Sequence, residues 1–385
     1  MTIKDLMSVM VRSNASDLYI TVEAPPMFRV EGTTKPYGDK RLTAQQTEEI
    51  AYSLMNEKQK AAFSETFEMN LALHYPDIGR FRVNILRQRG CVALVFRKIE
   101  TTIASLDDLR LPEILKDISL TKRGLVLLVG GTGTGKSTTL AAMIDYRNSN
   151  TTGHIITIED PVEYVHPHKK CIVTQREVGM DTLTYRHALK NTLRQAPDVI
   201  LLGEIRDEET MEAAVAFAET GHLCLSTLHA NNSNQALERI INFFPPEKHD
   251  QLFFQLGLNL RAVISQRLIP TVDGKRAAAI EILIDTSRVK DLIMKKQIDV
   301  LKEAMNAGTR EGMQTFDQAV FNLFKAERIS YENAMAYADS PNDLRLKIKL
   351  DDIDEKTKEG GDDAEGNKTD DIGDSLRLKS DEPAP

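Results

Sequence analysis

Between Gly124 and Ile284 the chain alternates short apolar runs with longer amphipathic stretches. The runs are "GLVLLVG", "HIITIED", "DVILLGE", "HLCLSTL" and "AAIEILI", and each would be apolar on both faces of an extended strand. Such strands belong to a parallel sheet covered by helices, and their alternation with helical stretches predicts a doubly wound α/β domain. Residues 1 to 99 read differently. "DLYITVEAPPMFRVEG" gives a strand, a Pro-Pro turn and a second strand, after a short amphipathic helix in "MTIKDLMSVMVRSNASDL". In "GRFRVNILRQRGCVALVFRKI", Arg80, Arg82 and Asn84 alternate with Phe81, Val83 and Ile85, which predicts a sheet with one solvated face in a small α+β domain. Residues 100 to 122 are a polar connector suited to a hinge or a short helix. The second domain spans 123 to 350 and is helical after Asp285, with breaks at Gly308 and Gly312. Residues 351 to 385 have almost no large apolar side chains to offset their ordering entropy, so a disordered acidic tail is expected.

Composition narrows the class. Of 385 residues, 41% are hydrophobic, enough to bury a core in two domains. The net charge of −8 belongs to the end of the chain: 13 acids face 5 bases from Asp351 onward, which leaves 44 of each before it. A neutral folded part lacks the basic excess of a dedicated nucleic-acid binder, so no nucleic-acid partner is expected. Cys91, Cys171 and Cys224 lie far apart with no Cys-x-x-Cys pair, which fits reduced thiols better than a metal cluster or a disulfide framework. The N-terminus lacks the apolar core of a signal peptide, and no apolar run nears the ~20 residues that cross a bilayer. The expected location is the cytoplasm.

The candidate chemistry starts at "GGTGTGKSTT", Gly130 to Thr139, where the first apolar run gives way to a helix-prone stretch. Gly-x-x-x-x-Gly-Lys-Ser between a strand and a helix is a phosphate-binding P-loop. Glycines let successive backbone N–H groups converge on phosphate oxygens, and the helix N-terminus adds partial positive charge. Gly130, Gly131, Thr132, Gly133, Thr134, Gly135, Lys136, Ser137 and Thr138 are the expected ATP cradle. Lys136 should reach the β and γ phosphates, and the Ser137 hydroxyl should ligate Mg²⁺. Hydrolysis also needs an acid for the metal's water shell, a carboxylate to orient water and cations to offset developing charge. Glu204 in "DVILLGEIRD" ends an apolar strand, where ligands sit in open α/β sheets, and is the Walker B candidate. "ITIEDPVEYVH" ends another strand in Glu159, Asp160 and Glu163, any one of which could be the catalytic base. His222 and His229 bracket the run "LCLSTL"; an imidazole there could donate a hydrogen bond to a γ-phosphate.

The stretches "GGTGTGKST", "ITIEDPVEYVH", "LLGEIRD" and "TGHLCLSTLH", in this order and at these spacings, resemble the Walker A, Asp box, Walker B and His box of the type II/IV secretion ATPase superfamily. The resemblance runs from "NASDLYITVEAPPMFRVEG" to "GMQTFDQAVFNLF" and is strongest toward the pilus retraction branch, the PilT/PilU family, on its PilU side. It implies a PAS-like N-terminal domain followed by a RecA-like P-loop ATPase domain, assembled as a homohexamer at the cytoplasmic face of the inner membrane. It also implies that ATP turnover drives pilus retraction through a membrane platform protein. Glu163 would then activate water, Glu204 would take the Walker B role, and His222 and His229 would sense the nucleotide. Glu159 and Asp160 would support the metal and the loop, and Arg82 and Arg97 would reach the γ-phosphate as arginine fingers. Read from the residues alone, arginines on alternating strands are solvated side chains.

Three departures qualify the resemblance. "GGTGTGKST" in place of "GPTGSGKST" keeps every residue with assigned chemistry. "SDLYI" carries Tyr19 where the family has histidine in "SDLHL". "TSRVKDLIMKKQ", Thr286 to Gln297, replaces the "AIRNLIRE" of PilT-type retraction ATPases, which implies an accessory motor acting with a PilT-type ring. The three scattered cysteines argue against the assembly branch, which often carries a four-cysteine zinc insertion. A pilus assembly or secretion ATPase of the same fold, and a RecA-like nucleic-acid translocase, are the alternative readings.

Overall fold

The computed structural model describes residues 2–359. Two sheets organise them. The first contains β1 (Asp17–Ile20), β2 (Met27–Val30), β3 (Thr33–Pro36), β4 (Glu68–Tyr75), β5 (Gly79–Gln88) and β6 (Cys91–Ile99), in the antiparallel order β3-β2-β1-β6-β5-β4. The alternation read along β5 becomes two faces: Phe81, Val83 and Ile85 are fully buried, while Arg80, Arg82 and Asn84 keep contact with solvent. The buried face packs on Leu6, Met7 and Met10 of the helix Ile3–Arg12, Ala51 of Ala44–Leu54 and Phe63 of Glu57–Thr66. A capping box fixes the start of each of these three helices. Within the polar connector, Ile114–Leu120 forms a short helix.

The second sheet contains β7 (Gly124–Val129), β8 (Gly153–Glu159), β9 (Cys171–Glu177), β10 (Val199–Leu202), β11 (Leu223–Leu228), β12 (Leu260–Pro270) and β13 (Arg276–Ile284). Its order is β13-β12-β7-β11-β10-β8-β9, and every neighbouring pair is parallel except β12 and β13. Every residue of β7, β10 and β11 is buried, as a helix-covered parallel sheet requires. Leu125, Leu127 and Val129 face one core, and Val126 and Leu128 face the other. The doubly wound α/β reading holds in that sense.

Three details differ from the sequence reading. β9 and β12 are not apolar runs: β9 is an edge strand with Ile172 64% exposed, and β12 is interrupted by Arg261, Ser265, Gln266 and Arg267. β13, expected as one more parallel strand, is antiparallel, because a tight turn closed by the Thr271 N–H and the Lys275 carbonyl leads straight back from β12. The helix Pro341–Glu359 runs past Asp351, where disorder was expected to begin. Leu344 and Ile348 bury it against Phe316 and Val320, and Lys325 pairs with Asp351 at 2.7 Å. Residues 360–385 lie outside the described residues. Among the described residues no helix is long and apolar enough to cross a membrane.

The complete burial of β7 between two neighbouring strands makes a direct stability prediction. Leu127→Ala should cost about 2–5 kcal/mol in urea unfolding, because Leu127 is fully buried. Ile172→Ala on the exposed edge should change stability by less than ~0.5 kcal/mol.

Candidate active site

β7 ends at Val129, and the helix Lys136–Asn150 starts after Gly135, which takes a left-handed φ of 88°. That helix start has no side-chain cap, so its first N–H groups are open to an anion. The loop between is held from the neighbouring strand. Gln266 of β12 donates to the Thr134 carbonyl at 2.8 Å and accepts from Thr139 Oγ1 at 2.7 Å. Glycine is required by this clamp: a Cβ at Gly135 would lie 2.8 Å from Gln266 Nε2, and one at Gly130 would lie 2.5 Å from Thr134 Oγ1. Lys136 is only 9% exposed and folds its ammonium back onto the Gly130 and Gly131 carbonyls, 2.8 Å from each. Burial lowers its pKa, and the nearby Glu204 and Glu163 oppose that shift.

Thr132 to Thr138 line a cavity of about 490 Å³, within the range of small-molecule sites. Glu159, Asp160, Glu163, Glu204 and His229 line it too, so the chain brings most of its sequence-nominated residues to one place. Gly130 and Gly131 lie beneath it as the seat of Lys136. Glu204, just past the end of β10, accepts from Arg206 Nε at 2.6 Å and meets His229 Nε2 at 3.1 Å. The three Asp-box carboxylates have different surroundings. Burial pushes the Glu159 carboxyl up to about 7, while Thr157 Oγ1 donates to it at 2.6 Å. Asp160 faces Tyr185 and Arg206, and Glu163 is exposed and acts electrostatically on Lys136. Of the three, Glu163 is the carboxylate that combines solvent access with an electrostatic effect on Lys136.

Three nominated residues lie elsewhere. His222 sits at the opposite end of β11 from His229, with Nδ1 3.0 Å from Thr220 Oγ1, and does not line this cavity. Arg82 and Arg97 face each other on β5 and β6, and Arg97 Nε donates to Asp17 Oδ1 at 2.8 Å. Neither arginine reaches the nucleotide cavity of its own chain.

Other residues at the site were not nominated from sequence. Gln266 left a trace, as an amide inside a core strand. Arg206 stands two residues after Glu204. Tyr164, whose hydroxyl is 2.8 Å from Thr138 Oγ1, and His166 both lie in the stretch already singled out for its acids. His166 is 7% exposed, its Nδ1 has no partner among the described residues, and burial drops its pKa to about 4, so the ring is neutral at pH 7.

The sequence pattern of the family described as "Type II/IV secretion system protein" matches residues 1–353. The chain belongs to that family. It is 57% identical over 351 residues to "Type IV pilus ATPase PilU" of Pseudomonas aeruginosa, covering 91% of this chain and 92% of that one. It is 41% identical over 344 residues to "Type IV pilus retractation ATPase PilT" of the same organism, covering 89% of this chain and 100% of that one. Among solved structures, the pilus retraction motor PilT with bound ADP superposes with a TM-score of 0.84 at 38% identity, over 90% of this chain and 99% of that one. This secretion-family member therefore has the mixed α/β architecture of a nucleotide-binding ATPase.

His166 generates a pH prediction. Its pKa is 6.5 in the unfolded chain and about 4 in the folded one, so the unfolded state binds the extra proton as the pH falls. The stability this group contributes is complete above pH 6.5 and is lost toward pH 4, a difference of order 3 kcal/mol. His166→Gln should flatten the urea-unfolding midpoint between pH 6.5 and 4 relative to wild type, and an unchanged slope would disprove the assignment.

Proposed function

We infer that this chain is the ATP-hydrolysing subunit of a type IV pilus retraction motor of the PilU kind, the machine behind twitching motility. One observation carries the reading, similarity to a pilus ATPase over nearly the whole of both chains, and the cavity lined by Thr132 to Thr138, Glu163 and Glu204 agrees with it. In this reading ATP lies on the N–H groups of Gly131 to Thr138, with Lys136 at its β and γ phosphates. Ser137 and Glu204 hold Mg²⁺, with Glu159 and Asp160 supporting it. These are oxygen donors suited to a hard cation, and the ion's chemistry there is to offset charge on the phosphate oxygens.

Glu163 orients the attacking water, and His229, through Glu204, senses the nucleotide state. His222, at the far end of β11, could take part only from a neighbouring subunit. The same holds for Arg82 and Arg97, and this favours a ring, most simply a homohexamer, in which each nucleotide borrows cations from the next subunit. We further propose a PAS-like N-terminal domain over 1–99, a linker over 100–122 and a RecA-like ATPase domain over 123–350. The ring would work at the cytoplasmic face of the inner membrane against a pilus platform protein. The divergent Thr286 to Gln297 segment favours an accessory motor that acts with a PilT-type ring. Matches to assembly and secretion ATPases, such as 36% over 194 residues of PilB, are shorter, and the assembly reading is weaker accordingly.

Glu163→Gln should keep ATP affinity within about twofold and lower turnover by 10²-fold or more, since general-base assistance contributes about 10²–10⁴. Lys136→Ala should abolish turnover with the fold retained by circular dichroism. Wild-type turnover in Glu163→Gln would move the base to Glu159 or Asp160.

The motor reading is tested by pilus retraction in cells. We expect none when the partner ATPase is absent, and recovery when a catalytically dead but assembly-competent partner is supplied. Full retraction with no partner would sink the accessory role.

A further inference from the structure

Three arginines and one aspartate fall in a single row across the N-terminal sheet. Register sets Arg29 opposite Asp17, Asp17 opposite Arg97, and Arg97 opposite Arg82. Directly opposed residues share a sheet face, and opposed like charges such as Arg97 and Arg82 cost stability. The row carries three positive charges against one negative, an arrangement that an added anion would relieve.

Asp17 is built into this row asymmetrically. Its side chain is 4% exposed. Ser16 Oγ donates to its Oδ2 at 2.8 Å, and Arg29 Nη1 stands 3.8 Å from the same oxygen. Arg29 is held in turn over the Tyr19 ring, 5.3 Å from its centroid, a cation–π contact that gives the unusual tyrosine of "SDLYI" a physical role. With Oδ2 occupied on that side, Oδ1 takes the Nε–H of Arg97 at 2.8 Å. The Arg97 side chain nevertheless remains 67% exposed. A buried carboxylate fixed from one side thus holds, through one N–H, an arginine whose side chain is otherwise largely in solvent.

We propose that Asp17 is a positioning residue for Arg97: its carboxylate takes the Nε–H and leaves Nη1 and Nη2 as an outward fork for a phosphate of the nucleotide bound by a neighbouring subunit. The proposal rests on the reading above that Arg97 acts on ATP across a ring. A guanidinium carries five N–H donors in one rigid plane, so it can hold a carboxylate on one edge and a phosphate on another. An ammonium has no such second edge. Fixing the side chain in advance removes its ordering cost, about 0.5–1.5 kcal/mol for a rotamer-rich side chain, from the step in which subunits close on ATP. The gain appears in turnover and not in ATP affinity, because the phosphate cradle lies on the other chain.

The test is steady-state ATP hydrolysis by the full-length protein, with affinity read separately from a fluorescent ATP analogue and folding from thermal melts. Arg97→Ala should lower kcat by ~10³-fold. Asp17→Asn should lower kcat roughly 10- to 100-fold, the scale of a small misplacement of a catalytic group, with analogue affinity within about twofold of wild type. In an Arg97→Ala background, Asp17→Asn should cause no further loss, which a purely structural role for Asp17 would not produce. Wild-type kcat in Asp17→Asn, alongside an impaired Arg97→Ala, overturns the positioning role. Wild-type kcat in Arg97→Ala overturns the underlying reading instead. Should Asp17→Asn fail to fold, Arg97→Lys at the exposed position decides: loss of kcat comparable to Arg97→Ala supports the two-edged guanidinium, and retained kcat overturns it.

Discussion

The site depends on one junction, where a fully buried strand stops and a helix starts within a few residues, with no side chain capping the helix. The open N–H groups at that start cost free energy unless something accepts their hydrogen bonds. Gln266 does not cap them. Its amide ties the Thr134 carbonyl and the Thr139 hydroxyl to β12, which fixes the loop between two strands beside the cavity that Thr132 to Thr138 line. Lys136, drawn onto the Gly130 and Gly131 carbonyls, supplies positive charge from beneath. Gly130 and Gly135 are fixed by the space that Thr134 and Gln266 occupy.

From this junction a short chain of contacts leads to the N-terminal sheet. Thr138, in the first turn of the helix, meets the Tyr164 hydroxyl, and Tyr164 forms an isolated parallel bridge with Glu100, one residue past the end of β6. The Val165 N–H donates to the Glu100 carbonyl at 3.2 Å. Arg97 lies three residues before Glu100 on the same strand. The Asp-box loop is thus joined through the backbone of Glu100 to the strand that carries the exposed arginine.

How much of this was legible in the sequence follows from which signals are local. The P-loop, the strand-end carboxylates and the alternation along β5 are each set by residues within a few positions of one another, and their placement in the fold follows the pattern. β9 and β12 were missed because an edge strand needs only one buried face, and because β12 spends Ser265 and Gln266 on polar contacts inside the core. Ser265 bonds Glu281, which is buried beside Ser233, so the interruption in the apolar run is a hydrogen-bonded cluster with no counterpart in a pattern of hydrophobicity. The separation of Arg82 and Arg97 from the cavity was equally invisible, since it depends on how the two sheets lie in space, whereas that of His222 follows from its place at the far end of the strand from His229. The row of Arg29, Asp17, Arg97 and Arg82 emerges only from strand register.

Charge explains why such a site would be left incomplete within one chain. The cavity gathers Glu159, Asp160, Glu163 and Glu204 with three cations, Lys136, Arg206 and Arg276, and Arg206 is already taken by Glu204. Even with Glu159 pushed up to about 7, and so partly protonated at neutral pH, acids outnumber bases where a triphosphate would sit. The backbone cradle and a divalent ion can offset enough of that charge for binding. Charge that develops at the γ-phosphate calls for a further cation, and on the ring reading Arg97, paired with Asp17 through Nε yet 67% exposed on the other sheet, supplies it from a neighbour. On the ring reading, a lone subunit can hold ATP but turns it over slowly, and hydrolysis becomes fast only when a neighbour's sheet closes over the cavity. Chemistry and subunit movement are then coupled by the location of two side chains.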